Sequence, residues 1–177
     1  LEIAKLNKLT TVPVFNLSSD ADSLRQVCLP NLLNIPLSKQ MKQDALAQWQ
    51  NKNPDKLVTA HAWHHDFVKF AASQLNNRFT RNHKTQMTDD AWAGWAAIKM
   101  LSDTVARTQK TDSAAMLNYL KKDLSFDGQK GDTATFRDTG QLRQIVLLID
   151  KDDNIVAEAP LRGVKGGLDS LGLISCK

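Results

Sequence analysis

The segment FDGQKGDTATFRDTGQLRQIVLLIDK, Phe126 to Lys151, is the most informative part of the chain. Gly128 and Gly131 punctuate a loop, ATFRD reads as a strand, and DTGQ reads as a hairpin turn in which glycine supplies the permissive backbone angles. LRQIVLLID is too apolar for a half-exposed strand, so both of its faces should be covered. A second turn at Asp152-Asp153-Asn154 leads to IVAEA, completing a C-terminal β-hairpin. The stretch carries no catalytic side chains in a defensible order.

Upstream, the pattern is helical with two short extended pieces. EIAKLNKL reads as the end of a short helix, and TVPVFNLS as a buried strand from about Val12 to Leu17. Ser18, Ser19 and Asp20 follow as caps for a helix through Leu24. NLLNIPL is a second extended segment, and Ser38 caps a helix to about Trp49. Leu57 to Trp63 is ambiguous between strand and coil. From His64 to about Arg81, Phe67, Phe70, Ala71, Leu75 and Phe79 fall at helical spacing. Thr88 caps a long helix to about Arg107, with Ala91, Trp95, Ile98, Leu101 and Val105 on one face and Trp92, Ala96 and Met100 widening it. A further helix runs from Asp112 to about Lys122. The expected fold class is α/β, a small mixed sheet with packed helices, over residues 1–161. Residues 162–177 form a Gly-rich arm expected to lie on something else.

Composition bounds the function classes. A chain of 177 residues with 42% hydrophobic and 24% charged residues is long enough for one packed core. No apolar run is long enough to span a membrane as a helix. The net charge of +4 is spread among acidic residues without a run of five Lys/Arg, which argues against a nucleic-acid stripe. The first residue is leucine, as expected of a processed or trimmed product. The two cysteines, Cys28 and Cys176, have two readings. In an intracellular protein they would be buried thiols; in an exported one, a disulfide stapling the tail. The penultimate position of Cys176 favours the staple.

Residues across most of the chain carry a family likeness. FDGQKGDTATFRDTGQLRQIVLLI resembles the C-terminal segment of type I periplasmic substrate-binding proteins, nearest to the group associated with PQQ-dependent alcohol dehydrogenases. AWHHDFVKFAASQLNNRF and MTDDAWAGWAAIKMLSDTV look like the paired helices before that hairpin, and PVFNLSSDADSLRQVCLPNLLNIPLSKQM like a first-lobe strand ending in a ligand-facing Ser/Asp loop. LGLISC is similar to the group's cysteine-containing end. The resemblance implies a single lobe of a two-lobed binding protein, since the segment expected to build the second lobe is missing after Trp49. One lobe does not enclose a small ligand.

Several clusters offer chemistry, each beside a plainer explanation. His61 and His65 in HAWHH would chelate a metal if the segment were helical, but no glutamate or cysteine completes the set, and a capping cluster explains them more simply. No metal site is therefore assigned. Ser18, Ser19 and Asp20 are the ligand-binding candidates, or caps. Trp92 and Trp95 are core or interface anchors. Arg162, Gly163, Gly166 and Gly167 belong to the arm and are interface candidates, because LRGVKGGL lacks the context of a phosphate loop.

The resemblance implies a non-catalytic accessory subunit. It would dock on a periplasmic quinohaemoprotein alcohol dehydrogenase, at the outer face of the inner membrane, with PQQ and haem c carried by a dehydrogenase subunit and a cytochrome c subunit. The alternative is a reduced solute-binding protein for a small anion such as PQQ.

Overall fold

The computed structural model describes residues 1–176. After the short helix α1 (Glu2–Lys5), the apolar run following Pro13 forms β1 (Val14–Asn16). A short helix, α2 (Ser23–Gln26), lies in the crossover to β2 (Leu32–Asn34), which runs parallel to β1 with Val14 opposite Leu32 and Asn16 opposite Asn34. Such parallel pairing requires a crossover rather than a tight turn. The helix expected after Asp20 starts only at Ser23, and no side chain caps it, because Ser18 to Asp20 are engaged elsewhere.

Ser38 caps α3 (Lys39–Gln50) as expected, its hydroxyl accepting from Met41 N at 3.1 Å. Met41, Ala45 and Trp49, one turn apart, are its buried stripe. The ambiguous segment resolves as β3 (Thr59–His61). The next helix is shorter than its spacing predicts: α4 (Ala72–His83) begins after Phe70 and Ala71, both left-handed at φ 51° and 67°. Residues 64–71 therefore turn, and Phe70 is exposed instead of joining an apolar stripe.

Thr88 and Asp112 cap α5 (Asp89–Thr108) and α6 (Ser113–Lys122) through bonds from Ala91 N and Ala115 N. The buried face of α5 is Trp92, Ala93, Ala96, Ala97, Met100 and Thr104, whereas Ile98 is 68% exposed. Of the expected arc, Trp92, Ala96 and Met100 are buried and Ala91, Trp95 and Leu101 pack half-buried against the core, so Ile98 is the member that falls outside it. Trp92 stacks on Trp63 at 5.8 Å.

Four short strands finish the chain: β4 (Phe126–Asp127), β5 (Thr133–Ala134), β6 (Val146–Ile149) and β7 (Ile155–Ala159). β4 and β5 pair antiparallel, and β6 is the centre of an antiparallel sheet in the order β3-β6-β7. All of β6 is buried, as its composition requires. The DTGQ turn forms, with one antiparallel bridge between Phe136 and Leu142. Its end also crosses to the first sheet, where Gln141 bridges Asn34 in parallel and Asn34 N donates to Gly140 O at 2.7 Å. Gly140, at φ 74°, allows this approach, since a Cβ there would collide with the Leu32 carbonyl.

The arm expected over 162–177 packs on its own body; Lys177 lies outside the described residues. The buried Arg137 guanidinium donates to Asp169, Leu168 O and Leu171 O, while Gly172 N donates to Asp44 at 2.6 Å. Cys176 is disulfide-bonded to Cys28, their Cα atoms 6.0 Å apart. The staple reading is the correct one.

Candidate functional site

The Ser/Asp loop sits at the carboxyl end of β1 and is closed by bonds of its own. Asn16 Oδ1 accepts from Ser18 N and Ser19 N, and its Nδ2 donates to Ser19 O at 2.7 Å and to Asn34 Oδ1 at 3.1 Å. Arg25, 1% exposed, donates to Ser19 O, Ala21 O, Pro36 O and Gln141 Oε1. Burial lowers the pKa of this guanidinium to about 10, which leaves it charged at neutral pH. Asp20 pairs with Lys42 at 3.1 Å, and that bond holds its carboxyl below the usual range. A loop so engaged serves the fold. Ser18, Ser19 and Asp20 are near one another: the Ser18 and Ser19 N–H groups, the Ser19 hydroxyl and the Asp20 carboxylate are engaged within the chain, while Ser18 is exposed.

The other site candidates separate. Trp92 is core, with Nε1 donating to Gly128 O at 3.2 Å, and Trp95 is half-buried against Phe126. Arg162, Gly163, Gly166 and Gly167 are exposed on the tail, and Lys52 Nζ donates to Arg162 O at 2.8 Å. His61 leaves the HAWHH cluster to face Asp89 at 3.6 Å, which raises its pKa. Asp89 is committed as well, accepting from Trp63 N at 2.7 Å.

Sequence reasoning missed Lys130, which is fully buried. Its ammonium donates to Ala62 O at 2.6 Å, Ile145 O at 2.7 Å and Gln144 Oε1 at 2.9 Å, and lies 4.6 Å above the Trp92 ring. These acceptors hold the charged form, but burial outweighs them and lowers the pKa to about 7. Lys130 ties the glycine-punctuated loop to β6 and to the end of β3. Its position between Gly128 and Gly131 was the only signal available in the sequence.

One open part of the molecule is the β3-β6-β7 sheet. A concavity of about 460 Å³ runs between Asp66–Lys69 and the edge strand β7, and another of about 650 Å³ is lined by Trp49, Leu57, Val58 and the β6–β7 turn. They meet at Val156. Leu57 and Val68 are 78% and 67% exposed on this surface, and Lys69 pairs with Glu158 at its rim. At one end, His64 and His65 face Asp153 of the β6–β7 turn, and His65 also faces Asp66.

No family model matches the chain, and no curated protein does. Solved structures do resemble it. An ABC-type branched-chain amino acid transporter from Rhodopseudomonas palustris aligns at a TM-score of 0.53 and 15% identity, over 83% of this chain and 39% of that one. A branched-chain amino acid ABC transporter periplasmic ligand-binding protein from Burkholderia xenovorans gives 0.51 and 15%, over 89% and 46%. An ABC transporter substrate-binding protein from Sphaerobacter thermophilus gives 0.51 and 14%, over 84% and 44%. The dehydrogenase association drawn from the sequence has no counterpart among these three. The chain thus has a mixed α/β, periplasmic-binding-protein-like fold and spans less than half the length of each of these structures.

Proposed function

We propose that this chain is a non-catalytic docking subunit of an exported protein complex, with the β3-β6-β7 face as its contact surface. The observation that carries the reading is a contrast within the site: the Ser/Asp loop is closed by Asn16 and Arg25, while Leu57, Val68 and Val156 stand exposed around two open concavities. Apolar surface of that kind marks interaction sites. The Cys28–Cys176 disulfide fits an oxidising compartment such as the periplasm. The host is a PQQ-dependent alcohol dehydrogenase with its cytochrome c partner, and this choice rests on the sequence resemblance. PQQ and haem c stay in those partners, and this chain steadies their contact.

Native purification tests the proposal. The expected result is stoichiometric co-elution with polypeptides carrying PQQ and haem, lost on Leu57→Asp/Val156→Asp substitution. The second reading, capture of a small anion, draws on the binding-protein-like fold. A solitary chain whose melting temperature rises with added PQQ would favour it and overturn docking.

A further inference from the structure

The corner where the loop after β3 meets the β6–β7 turn, at the edge of the proposed contact surface, gathers nitrogen and oxygen donors. We propose that His64, His65, Asp66 and Asp153 form a binding site for a divalent transition-metal ion, with Zn²⁺ the best match.

The donors come from segments distant in sequence, brought together by the pairing of β3 with β6 and of β6 with β7. His64 Nε2 lies 3.1 Å from Asp153 Oδ1; His65 Nε2 lies 3.5 Å from Asp66 Oδ2 and 3.8 Å from Asp153 Oδ2. Metal–donor bonds of about 2.0–2.1 Å in a tetrahedron place neighbouring donors roughly 3.3 Å apart. These three separations, 3.1 to 3.8 Å, bracket that value. One ligand atom from each of His64, His65 and Asp66 already lies within 4.8 Å of the others. Two imidazoles with two carboxylates match a borderline ion, whereas Ca²⁺ and Mg²⁺ prefer oxygen alone. Two carboxylates also neutralise the ion's charge.

The fold holds His64 and the backbone that carries Asp153. His64 is 7% exposed and its ring stands 4.2 Å from that of His65. Asp153 is presented by a left-handed residue at φ 64°, in a turn where Asp150 Oδ1 accepts from Asp152 N and Asn154 N. Aspartate tolerates that conformation. The Asp66 and Asp153 side chains are 74% and 69% exposed, giving the ion an entry path.

Proton chemistry follows from the tautomer. Asp66 N–H donates to His64 Nδ1 at 3.2 Å, so without a metal Nε2 carries the proton and donates to Asp153. An ion at Nε2 displaces that proton; the neutral imidazole then carries a proton at Nδ1, and the Asp66 N–H gives up its bond there.

The test uses the full chain without an affinity tag, stripped with EDTA, dialysed and titrated with ZnCl₂ by calorimetry at neutral pH. Co²⁺ absorption provides a second readout of nitrogen and oxygen ligation. One saturable equivalent is expected, weakened at least about tenfold in His65→Gln and in Asp153→Asn. Both variants retain a residue that suits its backbone, and their metal-free melting curves check the fold. His61→Gln, directed at the histidine that faces Asp89, should bind Zn²⁺ as the parent does. No saturable binding, or binding that survives both ligand substitutions, overturns the proposal. Neither result depends on whether the chain docks on a partner.

Discussion

Two ends of this molecule treat their polar groups in opposite ways. Around β1 and β2, Asn16, Arg25, Asn34 and Gln141 bond to each other and to surrounding carbonyls, and Cys28 joins the tail beside them. Around β3, β6 and β7, charged groups ring an exposed apolar surface and aspartates face histidines across a turn. In the first region the Ser/Asp loop is held by bonds within the chain, though the buried Asn31 Oδ1 has no partner among the described residues. In the second, side chains remain available to something outside the chain. Position at a strand end does not by itself make a binding site; what matters is whether the loop's donors and acceptors are already engaged.

The comparison breaks most readily at the closed end. Removing the disulfide with Cys28→Ser/Cys176→Ser frees a closure across 148 residues of sequence separation. The loss should approach about 4–5 kcal/mol in the chain-entropy picture, read from urea unfolding. Arg25→Ala leaves Ser19 O, Ala21 O, Pro36 O and Gln141 Oε1 without their donor, and should cost about 3–5 kcal/mol in the same assay. A loss under about 1 kcal/mol would mean that the network is decoration.

Lys130 sharpens the contrast through pH. Its folded pKa of about 7 lies below the ordinary 10.5. Below pH 7 both states hold the proton; between 7 and 10.5 the unfolded state holds more, so stability rises with pH across that window. The steepest slope from this group is about 1.4 kcal/mol per pH unit. In Lys130→Met that component should vanish, although the variant is less stable for leaving Ala62 O and Ile145 O without their donor. A parent pH profile that is flat above 7 refutes the assignment. The smallest effect belongs to the open face: Leu57→Asp/Val156→Asp should shift stability by no more than about 0.5 kcal/mol while removing partner co-elution. A large loss of stability there would place these residues in the fold rather than on a contact surface.

Much of the architecture was legible because its causes are local. Ser38, Thr88 and Asp112 cap their helices through side-chain bonds a few residues on, and the Asp152-Asp153-Asn154 turn precedes β7 as expected. The limits have equally definite causes. The apolar spacing through Phe67, Phe70 and Ala71 looks helical, yet left-handed Phe70 and Ala71 break it and Phe70 lies across Gly131. The partner of Trp92, the stacked Trp63 ring, lies outside any window around α5. The candidate site was the least legible part: Asp153 faces His64 across 89 residues of sequence.

Amino-acid order alone determined the starts of α3, α5 and α6, the turn before β7, the apolar central strand and the presence of two cysteines near opposite ends, because propensity, capping and composition act within a few residues. Tertiary structure decided that the Ser/Asp loop is closed, that Lys130 is buried, that the tail returns to its own body, and that two histidines meet an aspartate. Each of those outcomes needs partners far apart in the chain, and the energy that selects them exists only after the sheets have paired.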